Sequence, residues 1–226
     1  MGRHWMKWLE EFESQTLIKK YQIGYDDGGL YWHFDGHKQR VNWIKKYQHI
    51  LRTGLDRKAF KLLRAIWGKS DRCPDVFDAC GGLGKDAYLI ALSGCRVVSC
   101  EKSPLVYAFF QNAIDRLTPE ESVDLHCVHA DAVDFMAAWP VTRKRPDVVY
   151  LDPMFKHRLH ANVKQHAWFL RAIGEQVTHE YLLEKSMLFA RHRVVVKRST
   201  KNSWFQNKQP TYTIHGKTTR FDIYQV

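Results

Sequence analysis

Apolar positions along most of the chain follow two periods, one typical of strands and one typical of helices. From residue 75 onward, short apolar runs of strand length alternate with stretches whose apolar residues recur at helical spacing. Strands that alternate with helices favour right-handed βαβ units and a parallel sheet covered on both faces. The predicted strands are Asp75–Cys80, Arg96–Glu101, Val123–His129, Asp147–Leu151 and Arg193–Lys197.

Several helix boundaries are also predicted by the sequence. Leu55–Trp67 has apolar residues at helical spacing, and Gly68 is a plausible stop. Ser103–Pro104 favours a helix start, because Ser can cap and Pro is tolerated at the first helical position. The other predicted helices follow the glycines at 81–84, run from Asp131 to Trp139, and fill roughly Asn162–Phe189.

The two ends of the chain carry different patterns. Thr211–Ile214 and Phe221–Tyr224 flank a Gly-containing turn and predict a closing hairpin. The amino-terminal part predicts a helix lined by Trp5, Trp8, Phe12, Leu17 and Ile18, followed by a turn at Tyr25–Tyr31.

We expect an α/β fold with a Rossmann-like sheet, mostly parallel, with a C-terminal antiparallel hairpin. We divide it into an amino-terminal extension over 1–52 and a main domain over 53–226.

The charge balance narrows the class of partner. The chain has 226 residues, a formal net charge of +11 and a sequence pI of about 9.4. Such an excess of Lys and Arg suits a polyanion such as a nucleic acid, because each phosphate contact releases counterions. On this interpretation, the extension over 1–52 is a candidate RNA-contacting segment. The alternative is that the charge only keeps the protein soluble.

The sequence gives little support for a metal-binding, disulfide-bonded or membrane protein. The five cysteines form no Cys-x-x-Cys pair, and no His-Glu-x-x-His arrangement occurs among the twelve histidines. The first residues, MGRHWMKWLEEFESQ, have no apolar core typical of a signal peptide, and no run has membrane-spanning length. We expect free thiols, no metal, no membrane partner and a cytoplasmic location.

A glycine-rich segment after the first predicted strand is the main cofactor signal. It reads Asp78-Ala-Cys-Gly81-Gly-Leu-Gly84-Lys85-Asp86. In an open α/β sheet, ligands bind beyond the carboxyl ends of the strands, and glycines there let a ligand approach the backbone. Further acidic residues end the next two strands, namely Glu101, followed by Lys102, and Asp131, followed by Ala132.

The details favour S-adenosylmethionine over NAD. The glycines read G-G-x-G and not the G-x-G-x-x-G that brings a helix to a pyrophosphate. Carboxylates suit the ammonium and sulfonium of S-adenosylmethionine, whereas they would repel phosphates. Glu101 can accept hydrogen bonds from two ribose hydroxyls, while Asp131 and Ala132 can contact the adenine edge. The alternative makes the glycines a tight turn and Glu101 a solvated strand end.

A second chemical signal follows the fourth predicted strand. Val148–Leu151 delivers Asp152-Pro153-Met-Phe155 to the same sheet edge, a pattern similar to the Asp/Asn-Pro-Pro-Tyr/Phe loop of enzymes that methylate exocyclic or amide nitrogens. Asp152 and the backbone at Pro153 can orient an amine, and Phe155 can stack on a base. The alternative is that Asp152-Pro153 only ends a strand.

Basic residues surround this candidate catalytic loop in the sequence. They can hold phosphates around a flipped base, although each alone is also consistent with a solvated surface. They are Lys156, His157, Arg158, His160, Lys164, Lys197, Arg198, Lys201, Lys208, Lys217 and Arg220.

From about Arg52 to Tyr224, the chain resembles the bacterial small-subunit ribosomal RNA guanine-N2 methyltransferase J family. The specific elements are Asp152-Pro-Met-Phe155 and Arg220-Phe-Asp-Ile-Tyr224. The resemblance implies methyl transfer from S-adenosylmethionine to a guanosine in 16S rRNA, free or in the 30S subunit. It also implies cofactor contacts at Lys85, Asp86, Glu101, Lys102, Asp131, Ala132 and Asp152.

Two other functional hypotheses stay open at this point. Within the same enzyme class, the acceptor can be another base amine or a protein amide. From a different class, the chain can be a non-catalytic RNA-binding protein that shares the fold.

Overall fold

The fold is built on one twisted, mostly parallel sheet. The computed structural model of the chain is described for residues 12–153 and 181–226. The strands are β1 (Gly24–Asp26), β2 (Gly29–Phe34), β3 (His37–Gln39), β4 (Asp75–Asp78), β5 (Arg96–Glu101), β6 (Leu125–His129), β7 (Val148–Leu151), β8 (Arg193–Ser199), β9 (Tyr212–His215) and β10 (Thr219–Gln225).

The seven strands of the main sheet run in the order β6-β5-β4-β7-β8-β10-β9. The first five of these pair in parallel, so their carboxyl ends meet at one edge. Strand β10 pairs antiparallel with both β8 and β9, which confirms the predicted C-terminal hairpin. All five strands expected from the apolar runs are therefore present.

Helices cover both faces of this sheet. Among the described residues they are α1 (Phe12–Tyr21), α2 (Ile44–Thr53), α3 (Lys61–Trp67), α4 (Lys85–Leu92), α5 (Pro104–Asp115), α6 (Ala132–Ala137) and α7 (Leu182–Phe189). Helices α3, α4 and α5 contribute to one apolar core, and α6 and α7 to the other. Strand residues alternate between the two cores, as the two-residue period requires.

The described amino-terminal segment packs on the same core as α4 and α5. Strands β1, β2 and β3 form a separate antiparallel sheet. The ring of Trp32 lies 5.4 Å from that of Phe109, and the backbone N–H of Leu30 donates to Asn112 at 2.9 Å. The boundary at residue 52 stays a prediction, although this segment shares buried apolar surface with the main domain.

Helix boundaries show where local signals succeeded and where they failed. Ser103 caps α5 by accepting from the N–H of Val106, and Pro104 is its first residue, as predicted. The predicted helix Leu55–Trp67 is wrong at its start. Asp56 caps a short 3₁₀ turn over Arg57–Ala59, and Phe60 is extended, so α3 begins only at Lys61.

The remaining structural expectations concern helices and thiols. Of the predicted helical region Asn162–Phe189, α7 is present, and residues up to 180 lie outside the described ones, as do Trp5 and Trp8. All five cysteines are free thiols. Within residues 12–153 and 181–226, no helix has the length and apolarity needed to cross a bilayer, and no cluster of ligating side chains could hold a metal.

A buried ion pair in β10 yields a stability prediction. Asp222 is fully buried and accepts from Arg220 Nε at 2.9 Å, and the Arg220 guanidinium also donates to carbonyls of residues 199–203. Asp222→Ala leaves this cation buried without its carboxylate and should reduce the free energy of unfolding by about 3–5 kcal/mol. Urea denaturation measures the loss.

The matched control is Asp124→Ala, which removes an exposed carboxylate paired with Arg96. Exposed pairs contribute little to stability, so its urea midpoint should stay close to that of the wild type. Equal losses in the two variants would contradict the distinction between the buried and the exposed pair.

Candidate active site

The candidate site lies at the carboxyl edge of the parallel strands, on the side of the sheet that α4 covers. Val76 and Tyr150 belong to the core on that side. Because side chains alternate along a strand, Asp78, Asp152 and Lys197 follow the same parity and reach the same side. The fold thus brings together polar side chains that are far apart in sequence.

Two glycines shape the loop between β4 and α4. A Cβ added to Gly81 would lie 2.7 Å from Ser99 Oγ and 3.0 Å from the carbonyl oxygen of Cys100, so the loop sits directly on β5. Gly84 has a φ of +73°, and an added Cβ there would collide with the ring of Phe110. Only glycine satisfies both the close approach and the left-handed backbone without strain.

Glu101, at the end of β5, is held by backbone donors. The N–H of Gly82 donates to one carboxylate oxygen at 2.8 Å, and the N–H of Ser103 donates to the other at 2.8 Å. Each carboxylate oxygen has a second lone-pair site. The carboxylate is therefore fixed in orientation at the end of β5, and its contact with ribose hydroxyls stays a prediction.

Asp78, at the end of β4, is a buried carboxyl group. Its oxygens accept from Ser99 Oγ at 2.9 Å and from the N–H of Cys80 at 3.1 Å. Burial raises the pKa of Asp78 to about 7, and these two hydrogen bonds oppose the rise. A cationic group beside this carboxyl would stabilise its charged form.

The third acidic position lies after β6. Asp131 caps α6 by accepting from the N–H of Val133 at 2.8 Å. Its other oxygen lies 3.4 Å from the ammonium of Lys102, and Ala132 is buried beside it as the first residue of α6. The carboxylate of Asp131 is thus fixed by helix capping, with Lys102 compensating its charge.

This donor and acceptor set fits S-adenosylmethionine. Three carboxyl groups, on Asp78, Glu101 and Asp131, line one sheet edge next to a loop that only glycines allow. An ammonium and ribose hydroxyls match such groups, whereas a pyrophosphate would be repelled. The chemistry of the edge therefore agrees with the cofactor predicted from sequence.

One cation organises the polar cluster around Asp152. The ammonium of Lys197 donates to Asp86 Oδ2 and to Asp152 Oδ2, each at 2.6 Å. Tyr150 donates its hydroxyl to Asp86 at 2.8 Å, and Lys85 Nζ lies 3.6 Å from the same carboxylate. The structure therefore joins the start of α4 to the residue that follows β7.

The pKa values of this cluster follow from burial and from its opposite charges. Burial would raise the pKa of Asp86, but Lys197 and Lys85 outweigh it and lower that pKa. Burial raises the pKa of Asp152, against the opposing effect of Lys197. Although burial lowers the pKa of Lys197, the two carboxylates raise it overall, so the lysine carries its charge.

The predicted catalytic loop is only partly within the described residues. Asp152 lies at the shared edge, and Pro153, which follows it, is buried. Phe155 lies outside the described residues, as do Lys156, His157, Arg158, His160 and Lys164. The roles assigned to these side chains stay predictions.

Three of the basic residues predicted to hold phosphates are engaged inside the protein. Lys197 pairs with the two aspartates. Arg198 is buried and donates to the carbonyl of Ser203, and Arg220 is buried against Asp222. Strand parity and burial therefore commit these three charges to internal partners, and the phosphate role stays a prediction.

Two aromatic residues that sequence reasoning did not assign to the site support the glycine loop. Trp43 donates its indole N–H to the carbonyl of Leu83 at 2.9 Å and stacks on Tyr88 with ring centroids 4.9 Å apart. The hydroxyl of Tyr47, on α2, donates to the carbonyl of Lys85 at 3.4 Å. The basic and aromatic composition of this segment was the only signal in the sequence.

Comparison with known proteins identifies the family. A family model described as "Putative SAM-dependent methyltransferase" matches residues 34–226. Ribosomal RNA small subunit methyltransferase J of Nitrosococcus oceani is 41% identical over 191 residues, covering 81% of this chain and 75% of that protein. The chain belongs to the ribosomal RNA small subunit methyltransferase J family. These matches confirm the family resemblance drawn from the motifs and S-adenosylmethionine as the cofactor. They exclude the alternative that the glycine motif binds NAD.

Other members and a solved structure agree with this assignment. The methyltransferase J of Aeromonas salmonicida is 35% identical over 171 residues, covering 72% of this chain and 68% of that protein. A crystal structure of a SAM-dependent methyltransferase from Neisseria gonorrhoeae is similar with a TM-score of 0.69 and 26% identity, covering 95% of this chain and 92% of that one. This member of the methyltransferase J family therefore shares its fold with a solved SAM-dependent methyltransferase.

The steric demand at Gly84 yields a binding prediction for this methyltransferase J member. Gly84→Ala should displace the loop from Phe110 and lower the affinity for S-adenosylmethionine by about tenfold or more, which corresponds to about 1.4 kcal/mol. Isothermal titration measures the affinity, and circular dichroism checks that the variant is folded.

Gly36→Ala is the matched control for this change. Gly36 has a φ of +74°, nearly that of Gly84, but an added Cβ there meets nothing within 4 Å. It carries a similar backbone cost without the collision, so binding should be retained. Equal affinity in both variants would contradict the steric role of Gly84.

Proposed function

We propose that the protein transfers a methyl group from S-adenosylmethionine to the exocyclic N2 amine of a guanosine in 16S rRNA. The observation that carries the proposal is the position of Asp152, which follows β7 at the edge shared with the glycine loop. Its relatives are named as ribosomal RNA small subunit methyltransferases, which supports this class of substrate.

The acceptor chemistry explains why a carboxylate is needed there. The lone pair of an exocyclic amine is delocalised into the base, so the amine is a poor nucleophile and requires precise positioning. Asp152 is 39% exposed, and no described residue donates a hydrogen bond to its Oδ1. In our proposal this oxygen accepts an N–H of the amine and stabilises the positive charge that develops on nitrogen.

Residues of the chain have three further roles in the proposed reaction. Bound S-adenosylmethionine would supply an activated methyl group on its sulfonium. Glu101 holds the ribose hydroxyls, Asp78 faces the cationic part of the cofactor, and Asp131 with Ala132 contacts the adenine. The N–CH3 bond forms as the S–CH3 bond breaks, which leaves S-adenosylhomocysteine, and the nitrogen releases one proton to water. No strong base is needed, because the amine becomes acidic as it is methylated.

The amino-terminal segment carries exposed basic residues that suit contact with RNA. Lys45, Lys46 and His49 are exposed on α2, while Tyr47 of the same helix reaches the start of α4. We therefore keep the segment 1–52 as a proposed RNA-contacting extension beside the cofactor loop. The net charge of +11 supports a nucleic-acid substrate, either 16S rRNA or the 30S subunit. Because such a substrate is found in the bacterial cytoplasm, we propose that the protein acts there.

Methyl transfer to small subunits tests this function. Tritiated S-adenosylmethionine is supplied with free 16S rRNA or with 30S subunits from a bacterium that lacks its own methyltransferase J, and the product is digested to nucleosides. We expect label in N2-methylguanosine. Asp152→Ala should lower the saturated rate by about a hundredfold or more, because it removes a group that acts on developing charge.

Asp71→Ala is the control, since Asp71 is exposed in the loop before β4, at the opposite edge of the sheet. Its rate should equal that of the wild type. Label in another nucleoside would keep the enzyme class and overturn the guanine assignment. Binding of RNA without transfer would favour the non-catalytic hypothesis, and label in protein would favour an amide substrate.

A further inference from the structure

The Lys197 ion cluster connects three elements that the reaction needs. Leu151 pairs with Val196 in the parallel register of β7 and β8, so Lys197 lies beside Asp152 just beyond the last paired position. Asp86 lies in the first turn of α4, directly after the glycine loop. One ammonium therefore bonds both the acceptor loop and the cofactor loop to the central sheet.

The cluster is shielded from solvent to different degrees. The side chains of Lys197 and Asp86 are 21% and 15% exposed, whereas Asp152 is 39% exposed. Oδ2 of Asp86 accepts from both Lys197 and Tyr150, while Asp152 receives only the lysine from the described residues. Lys197 thus occupies Oδ2 of Asp152, and no described residue donates a hydrogen bond to Oδ1 of this half-buried carboxylate.

We propose that Lys197 is a positioning residue for methyl transfer, which orients the Asp152 carboxylate toward the acceptor amine and keeps it ionised. The inference rests on the proposed function of Asp152. Only the ionised carboxylate accepts hydrogen bonds at both oxygens, one from Lys197 and one from the amine. A protonated Asp152 would place a hydrogen on one of these oxygens and lose that arrangement.

The surrounding groups make the lysine necessary. Burial and Asp86 raise the pKa of Asp152, whereas the positive charges of Lys197 and Lys85 lower it. Asp152 in turn raises the pKa of Asp78. Cys80 and Tyr150 also face the cluster, but burial raises their pKa values and keeps them neutral. Tyr47 lies near Asp86 and Lys197 and is neutral for the same reason.

The main test compares the pH dependence of the saturated rate in Lys197→Met and in the wild type. An opposite charge within a few ångströms shifts a carboxyl pKa by about one to three units, so removal of the ammonium should move the acid limb upward by about that amount. The variant should be slow at neutral pH and recover toward the wild-type rate at higher pH. Lys197→Arg keeps the positive charge, so the acid limb of its pH–rate profile should lie close to the wild-type position.

Two further variants provide a shift in the opposite direction and a control. Asp86→Asn removes a like charge from Asp152, so at saturating cofactor it should move the acid limb downward, opposite to Lys197→Met. Lys69→Met removes one exposed positive charge before β4 and should leave the profile unchanged. An acid limb at the wild-type position in Lys197→Met, with a rate reduced equally at every pH, would overturn the positioning role.

A readout independent of activity separates this inference from the proposed function. Carbon-13 NMR of carboxyl-labelled aspartate, with the Asp152 signal assigned by Asp152→Asn, follows its titration directly. The Asp152 titration should move upward in Lys197→Met, and an unchanged titration would contradict the inference even if guanosine is methylated. Label in a different product would instead overturn the proposed function and leave this titration result standing.

If Lys197→Met does not fold, as judged by its thermal transition, the same titration in Asp86→Asn and Lys197→Arg decides. The Asp152 pKa should fall in the first variant and stay near the wild-type position in the second. A rise in Asp86→Asn would overturn the inference.

Discussion

The cost of burying charge is the constraint on which this site depends. Two aspartates, Asp86 and Asp152, approach each other at the edge of a sheet whose strands are largely buried, and such a pair is unfavourable without a cation between them. Lys197 supplies that cation at 2.6 Å from each carboxylate. Because β8 delivers it in register with β7, the compensation is built into the strand pairing itself.

In our proposal the same edge serves two chemical tasks. The carboxyl groups that end β4 and β5 and that follow β6 suit a cofactor with an ammonium and ribose hydroxyls. The carboxylate of Asp152, which follows β7, suits an amine donor. The glycine loop lies between these groups, and Trp43 and Tyr47 hold it by bonding to the carbonyls of Leu83 and Lys85.

Much of the fold and of the site edge was predictable because the signals are local. Apolar runs predicted each parallel strand, and each acidic residue of interest directly follows a run. The Ser103–Pro104 start of α5 was readable for the same reason. The parts missed depend on tertiary context: Asp86 and Lys197 are 111 positions apart, and no spacing rule joins them.

Two other failures have identifiable physical causes. Helix α2 was not predicted, although Ile44, Tyr47 and Ile50 recur at helical spacing and pack on the core. The Lys, His and Arg residues between them made the segment resemble a basic, aromatic stretch without a regular structure. Arg198 and Arg220 were expected either to contact phosphates or to lie on a solvated surface, yet both are buried and bond to carbonyls or to Asp222. Charge in a sequence does not reveal whether its partner is solvent or protein.

The central claim is that the cofactor carboxylates and Asp152 serve one reaction at one edge. A crystal structure with S-adenosylhomocysteine and a guanosine nucleotide tests it most directly. The account predicts ribose hydroxyls within hydrogen-bond distance of Glu101, and a guanine N2 that donates to Asp152 Oδ1 while facing the sulfur. A guanine bound elsewhere, or an Asp152 carboxylate turned away from a correctly seated base, would contradict it.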